Sequence, residues 1–232
     1  MIIAIDGPAS SGKGEMSKRI SEVLNIHSLD TGAIYRAVTY AILEKNFKYT
    51  EYDFKKQEDK KTLQDFLDEV KIKVEIDDRT KKQNVYLNGK DITEYLRTKD
   101  VTENVSFVSS IVPIRLFVNE IIREFAKENS VVMDGRDIGT YVFPNAEIKI
   151  YLTADLEERA KRRYRQNMKN GITNMSYEEV IENLKKRDYN DIHGKEIGAL
   201  IKAKDAIEID NTNLSIEETL EKILEIVKQK KR

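Results

Sequence analysis

The chain has 232 residues, of which 40% are hydrophobic and 35% are charged, so it can bury one substantial core and carry one small additional unit. Its 40 basic and 41 acidic residues leave a formal net charge of −1, which gives no overall attraction to nucleic acid or to an acidic membrane surface. The lack of cysteine excludes disulfides and thiolate catalysis. The two histidines, His27 and His193, lie too far apart in the sequence to suggest a metal site.

Residues 1–8 enter an apolar strand without the basic stretch and apolar leader of a secretion signal. No run of apolar residues approaches the roughly 18 that a membrane-spanning helix needs. We therefore expect a soluble cytoplasmic protein with no membrane or nucleic-acid partner, and a monomer as its default state.

Short apolar runs alternate with long amphipathic segments, which predicts an α/β fold with a parallel sheet flanked by helices. Strands are expected over residues 2–5, 131–133, 148–152 and 207–209. Helices are expected over residues 16–24, 34–43, 105–125, 156–168, 177–186 and 216–227. Asn213 or Ser215 is positioned to cap the start of the last helix.

One segment has a different period. Residues 71–76 alternate between charged and apolar side chains, and residues 85–87 run into the turn signal Asn88-Gly89. This pattern predicts antiparallel strands in a small α+β insertion, with a second turn at Asp77-Asp78. The expected division is core 1–61, insertion 62–104, core 105–154, lid helices 155–200, and a final core strand and helix in 201–232.

The residues after the first predicted strand form a candidate phosphate-binding loop. Gly7, Gly12 and Lys13 fit the pattern G-x-x-x-x-G-K, and an amphipathic helix follows at once. Such a loop turns backbone N–H groups toward phosphates and places its lysine against the β- and γ-oxygens of a nucleoside triphosphate. The placement between strand and helix makes the motif specific. It predicts ATP binding through Gly7, Pro8, Ala9, Ser10, Ser11, Gly12, Lys13, Gly14 and Glu15.

The loop departs from the usual pattern after its lysine. Gly14 and Glu15 stand where a hydroxyl residue would meet Mg²⁺. A carboxylate so close to a triphosphate repels it, so we expect either weaker ATP binding or a compensating cation. A divalent ion would then be bound by oxygen, with Asp134 holding it through a water molecule.

Further motifs point to a second phosphate-bearing ligand. Asp30 and Arg36 belong to a segment that opens a helix after the second strand, and Arg136 and Asp137 follow a later strand end, where open α/β sheets bind ligands. Lid arginines can close over phosphates; they are Arg159, Arg162, Arg163 and Arg187, of which Arg162 and Arg163 are more simply read as a solvated helix face. The set suits in-line phosphoryl transfer to a phosphate oxygen, for which no dedicated base is needed.

Six stretches in this chain, taken in order, resemble the bacterial cytidylate kinase family of P-loop nucleoside monophosphate kinases: IDGPASSGKG, LDTGAIYR, LNGKDITEYLRT, MDGRDIGTYVFPNAEIKIYLTADLEERAKRR, KKRDYND and AIEIDNTNLS. The resemblance covers almost the whole chain. It implies a P-loop parallel sheet with an inserted NMP-binding region and a helical lid, and transfer of the γ-phosphate of ATP, with Mg²⁺, to CMP or dCMP.

The resemblance also implies roles for individual residues. Catalytic charges would come from Lys13, Arg36, Arg159 and Arg187. CMP would be bound by Asp30, Arg36, Ser106, Arg115, Arg136, Asp137, Arg187 and Asp191. Asp137 can accept from the exocyclic amine that distinguishes cytosine from uracil.

A second departure lies in the lid, where the family pattern has another arginine and this chain has Gly194 beside Lys195. Lysine offers a point charge where arginine offers a planar fork, so slow turnover is expected. Two alternatives stay open: a P-loop kinase for another monophosphate, above all UMP, and a weakened paralogue that binds nucleotide without turning it over. Asp137 argues against the first alternative. The joint presence of Lys13, Arg36, Arg136, Asp137 and Arg187 argues against the second.

Overall fold

The structure is a computed structural model that describes residues 1–77, 79–171, 175–193 and 198–230. The strands in these ranges are β1 (Ile2–Asp6), β2 (His27–Ser28), β3 (Ile72–Ile76), β4 (Gln83–Leu87), β5 (Lys90–Asp91), β6 (Val131–Gly135), β7 (Ile148–Thr153) and β8 (Ile207–Asp210). The α-helices are α1 (Lys13–Leu24), α2 (Thr31–Glu44), α3 (Gln57–Asp68), α4 (Lys99–Val108), α5 (Val112–Glu128), α6 (Leu156–Lys169), α7 (Tyr177–Ile192) and α8 (Ile216–Lys230).

The chain divides into two compact units. Unit 1 comprises Met1–Ser28 and Ser130–Arg232, and unit 2 comprises Leu29–Asn129. The insertion expected over residues 62–104 lies inside unit 2, and the other domain boundaries drawn from the sequence stay predictions. Three of the residues named in the sequence analysis, Asp78, Gly194 and Lys195, lie outside the described residues.

Unit 1 is built on a parallel sheet with the strand order β2-β6-β1-β7-β8. The predicted parallel α/β class is confirmed. Strand β1 lies in the middle of the sheet, and its residues Ile3, Ala4 and Ile5 are buried. This explains why the strand is a continuous apolar run, since a central parallel strand is covered on both faces. Because all these strands are parallel, their carboxyl ends lie along one edge of the sheet.

Helices α1 and α8 pack on each other and cover the sheet through one apolar core, in which Ile20 and Ile223 meet Ile5 and Val132. Helix α8 begins with a capping box. The Ser215 hydroxyl accepts from the Glu218 N–H at 3.1 Å, and the Glu218 carboxylate accepts from the Ser215 N–H at 2.7 Å. Ser215 was one of the two caps expected from the sequence. Helices α6 and α7 form a separate pair, whose buried Ala160, Val180 and Leu184 pack against Ala9.

Unit 2 contains the antiparallel sheet β3-β4-β5, as the alternating pattern predicts. Asn88 and Gly89 have φ values of 50° and 84°, the left-handed backbone that a tight Asn-Gly hairpin turn requires. Helix α2 packs against α4 in this unit. Helix α3 was not foreseen, because its few apolar residues, Leu63, Phe66 and Leu67, stand in a strongly charged stretch; all three are buried.

The prediction of a single helix over residues 105–125 is wrong. The structure has two helices, α4 and α5, with a break at residues 109–111. Pro113 lies in the first turn of α5, where its missing N–H costs nothing, whereas in a continuous helix its ring would clash with the carbonyl of Ser109 four residues earlier. The hydroxyls of Ser109 and Ser110 donate to the carbonyls of Ser106 and Phe107 and so satisfy the end of α4.

Across the described ranges, no single helix is long and apolar enough to cross a membrane, and α4 and α5 meet the length and composition criteria only as a pair bent by 104°. The same residues hold no group of three or more histidine, aspartate or glutamate side chains arranged to bind a metal ion.

Candidate active site

The loop between β1 and α1 is held in a shape that brings backbone close to a ligand. A Cβ atom on Gly7 would lie 2.0 Å from the carbonyl oxygen of Leu152 in β7, so only glycine fits there. Ser10 and Gly12 have φ values of 61° and 96°, which turns successive peptide groups as an anion-binding nest requires. Gly12 is the N-cap of α1 and has no side chain to cap the first N–H groups of the helix. These groups are therefore available to an anion.

Lys13 lies at the centre of this loop and is 6% exposed. Its ammonium donates to the carbonyls of Gly7 at 2.8 Å and Pro8 at 2.7 Å. Burial, and then the positive charge of Arg136, lower the pKa of Lys13 to about 7. Keeping the Lys13 ammonium charged in this buried position therefore costs free energy. A bound polyanion would raise the pKa of Lys13 back toward its ordinary value.

A cavity of about 480 Å³ opens over the loop. It is lined by Ala9, Ser10, Gly12, Lys13, Gly14, Glu15, Asp134, Arg136, Arg162, Arg163, Gln166 and Arg187. Five of these side chains are cationic and two are carboxylates, so the lining carries a local positive charge that the net charge of the chain conceals. A wall of this kind is suited to a polyphosphate.

Two of the cavity arginines were expected on a solvated helix face, and that interpretation is wrong. Arg162 donates to the Asn211 side-chain oxygen at 3.0 Å and to its carbonyl at 2.8 Å, and Asn211 donates to the carbonyl of Ser11 at 3.0 Å. Arg163 donates to the Ser10 hydroxyl at 3.1 Å. Arg162 and Arg163 follow Arg159 by three and four residues on α6. This spacing can be read from the sequence, and it places all three arginines on the same face of the helix.

Arg159, predicted to be catalytic, has a different environment. It is 7% exposed and donates to the carbonyls of Ala154 at 2.8 Å and Ala9 at 3.2 Å, and it pairs with Asp188 at 2.8 Å. It therefore joins the loop to α7 and is absent from the cavity lining. Its catalytic role stays a prediction. Arg187, by contrast, lines the cavity and makes no hydrogen bond or ion pair with another described residue.

The turn after β6 carries the residues expected to recognise a nucleobase. Arg136 donates to Asp191 of α7 at 2.6 Å, and both side chains are about one-fifth exposed, at 19% and 20%. Asp137 is buried at 5% exposure. Four predicted ligand residues of unit 1 thus lie on two elements that contact each other. Arg136 and Asp137 are on the turn after β6, and Asp191 and Arg187 are one turn apart on α7.

In unit 2, the predicted phosphate ligand Arg36 donates to the Leu96 carbonyl at 3.1 Å and the Thr102 hydroxyl at 2.9 Å. Asp30 caps α2, accepting from the Ala33 N–H at 3.2 Å. The remaining two predicted ligands of this unit lie on α4 and α5: Ser106 is exposed, and the Arg115 guanidinium lies 5.8 Å from the ring centroid of Tyr35.

The carboxylate of Glu15 is paired with a cation, which is one of the two outcomes expected from the sequence. Arg19, one turn along α1, donates to Glu15 at 2.6 Å and pairs with Glu217 of α8 at 3.3 Å. The spacing i to i+4 makes this contact readable from the sequence. Arg19 therefore offsets the negative charge beside the phosphate-binding loop.

A glycine-rich loop at the end of a central parallel strand, with a lysine at its centre and an arginine-lined cavity above it, defines a P-loop phosphotransferase. A family model described as cytidylate kinase matches residues 3–229. The chain is 44% identical over 230 residues to a cytidylate kinase of Bacillus subtilis, covering 99% of this chain and 97% of that one. It is 42% identical over 228 residues to a cytidylate kinase of Ligilactobacillus salivarius, covering 98% and 96%.

The chain therefore belongs to the cytidylate kinase family, whose members are nucleoside monophosphate kinases that use ATP as co-substrate. Among solved structures, TT1252 from Thermus thermophilus matches with a TM-score of 0.50 and 18% identity, over 99% of this chain and 96% of that one. This likeness shows a shared fold.

The lowered pKa of Lys13 predicts that ATP binding takes up a proton. Above pH 7 the free lysine is largely neutral, while the phosphates favour the ammonium, so the ATP dissociation constant should rise about tenfold between pH 8 and pH 9. Titration calorimetry at pH 8.5 in two buffers of different ionisation enthalpy measures the uptake. Lys13→Arg, which stays charged throughout, should show none. Equal heats in both buffers for the native protein would refute the linkage.

The Glu15–Arg19 ion pair predicts that a substitution at Glu15 restores the ATP affinity that is lost when Arg19 is replaced. Arg19→Met leaves the carboxylate uncompensated and should raise the KM for ATP about three- to tenfold. Adding Glu15→Gln to that variant should restore the native KM. Glu217→Gln, which removes the other partner of Arg19, is the matched control and should leave the KM unchanged. Steady-state kinetics with varied ATP give the comparison, and an unaltered KM in Arg19→Met would disprove the compensation.

Proposed function

We propose that the protein phosphorylates CMP and dCMP with ATP, giving CDP or dCDP and ADP. An oxygen of the acceptor phosphate attacks the γ-phosphorus, and the bond from that phosphorus to the β–γ bridging oxygen breaks. No base is needed, because the attacking oxygen is already anionic. The observation that carries the proposal is the cationic cavity over the phosphate-binding loop, together with 44% identity to a cytidylate kinase over nearly the whole chain.

The donor phosphates would lie in that cavity. The N–H groups of the loop and of the first turn of α1 would bind the β-phosphate, and Lys13 would leave its two carbonyl partners to reach the β- and γ-oxygens. Arg163 and Arg187 would neutralise the charge that develops on the transferred group. Arg162 and Arg159 hold the loop itself through Asn211 and Ala9.

Mg²⁺ is part of this proposal. The described residues fit the ion, because Asp134 lines the cavity and one of its carboxylate oxygens lies 3.9 Å from where a Cβ on Gly14 would stand. Asp134 would hold Mg²⁺ through water, as carboxylates in phosphate sites commonly do. The bound ion supplies charge neutralisation of the phosphate oxygens.

The acceptor would be recognised by two sets of residues. In unit 1, Asp137 would accept from the cytosine amine, while Arg136 would donate to the base and Asp191 would contact the sugar. In unit 2, Arg36 would hold the acceptor phosphate, and Asp30, Ser106 and Arg115 would complete the set. We further propose that the protein acts in the cytoplasm as a monomer, without nucleic acid or membrane partners. The lid pattern at Gly194 lies outside the described residues, and slow turnover stays a prediction.

A coupled assay for ADP release, with ATP, Mg²⁺ and CMP, dCMP, UMP or AMP as acceptor, tests the proposal. Turnover of CMP and dCMP well above UMP is expected. Asp137→Asn should lower kcat/KM for CMP about 10- to 100-fold, because the amide is uncharged and keeps only one acceptor oxygen for the amine, and the preference for CMP over UMP should narrow. Asp155→Asn is the matched control, at an exposed carboxylate after β7. Equal rates with UMP in the native protein would overturn the base assignment, and ATP binding without turnover of any acceptor would overturn the activity.

A further inference from the structure

Among the described residues, the proposed mechanism gives no role to the buried carboxylate of Asp6. Asp6, the last residue of β1, is 4% exposed. Its two oxygens accept hydrogen bonds from the N–H groups of Ile138 at 2.8 Å and Gly139 at 2.7 Å. In the sheet, Asp6 pairs in register with Gly135 of β6. The carboxylate therefore reaches across from the strand that leads into the phosphate-binding loop to the turn that carries Arg136 and Asp137.

Both N–H groups belong to the start of a short π-helical turn, Ile138–Val142, whose N-cap is Asp137. The first N–H groups of a helical turn have no partner within it. Asp6 supplies that partner for two of them at once and so fixes the direction in which the turn leaves β6. The side chain of Asp137 is attached to the peptide unit directly before these two donors, so its orientation depends on the same contacts.

The surroundings are shaped to admit the carboxylate. A Cβ on Gly139 would lie 3.2 Å from an Asp6 oxygen and 3.3 Å from the Lys149 side chain, so a glycine there leaves room for both. A Cβ on Gly135 would lie 2.7 Å from Ile138, which packs the turn closely onto the end of β6.

The carboxylate is held at a cost. Burial, with a smaller contribution from the charge of Asp137, raises the pKa of Asp6 to about 6, although the two backbone N–H groups and Lys13 act in the opposite direction. A group whose pKa is raised on folding opposes stability as the pH rises from its unfolded value through its folded one. At neutral pH, therefore, the ionised carboxylate is kept in place against the cost of burial, with both oxygens bound to the turn.

We propose that Asp6 is a positioning residue for acceptor recognition, which fixes the turn carrying Arg136 and Asp137 by binding the N–H groups of Ile138 and Gly139. This inference rests on the proposed function. It assigns to β1 a double role, because the same strand end sets the start of the phosphate-binding loop and the orientation of the residues proposed to read the base.

The test compares Asp6→Asn with Glu147→Gln in the full chain. Asparagine keeps the size of aspartate but retains one acceptor oxygen and places an N–H₂ group against a backbone donor. We expect the KM for CMP to rise at least about tenfold and the CMP-to-UMP preference to fall. The KM for ATP should rise much less, through the loss of the Asp6 charge that helps to raise the pKa of Lys13. Glu147 accepts from the N–H of Ile2 at the opposite end of the same strand, at 2.7 Å, and Glu147→Gln should alter neither constant.

Amide hydrogen exchange of residues 137–142 gives a readout that does not depend on turnover. It should accelerate in Asp6→Asn and remain native in Glu147→Gln. If Asp6→Asn fails to fold, Gly139→Ala provides the second variant, because its Cβ displaces the carboxylate and should produce the same selective loss of CMP affinity to a smaller degree.

Native CMP and ATP constants in Asp6→Asn, or an equal loss for both substrates that follows the unfolded fraction, would overturn the positioning role. So would unchanged exchange in residues 137–142. These outcomes differ from failure of the proposed function, which appears as a native protein that does not turn over CMP.

Discussion

The mutual repulsion of the charges around the phosphate-binding loop governs much of unit 1. Lys13, Arg136, Arg162, Arg163 and Arg187 line one cavity against two carboxylates, and like charges gathered at low dielectric oppose one another strongly. Oxygen atoms at fixed positions accept hydrogen bonds from three of these cations and offset part of the repulsion. Lys13 donates to loop carbonyls, Arg136 to Asp191 and Arg162 to Asn211.

These contacts do more than offset charge, because several of them end on backbone carbonyls. Arg159 and Lys13 bind carbonyl oxygens of the loop that they serve, and Arg163 binds the side chain of Ser10, which has a left-handed φ of 61°. Lys13 and Arg163, which line the cavity, thus help to hold the loop in an anion-binding shape. Preorganisation of this kind lowers the reorganisation that accompanies a charged transition state.

The parallel sheet supplies the geometry for this arrangement. The phosphate-binding loop leaves β1 and the Arg136–Asp137 turn leaves β6, and the two strands are neighbours in register, with Asp6 beside Gly135. Residues separated by more than a hundred positions in sequence therefore become adjacent because their strands run in the same direction. A buried carboxylate at this junction is consistent with a need for the two loops to keep a fixed relation.

The sequence by itself determined the α/β class, the parallel strands, the antiparallel hairpin at Asn88-Gly89 and the phosphate-binding loop, because these follow from local periodicity and from glycines that special backbone angles require. It also determined the family, through motifs that span the chain. Only the tertiary structure decided that Arg162 and Arg163 line the cavity while Arg159 is buried beneath the loop, since all three share one helix face and only the packing against α7 and Asn211 separates them. It likewise decided the break before α5, where Pro113 outweighs an apolar periodicity that runs through it. The role of Asp6 depends on two backbone donors more than 130 positions away, a contact that no local pattern in the sequence encodes.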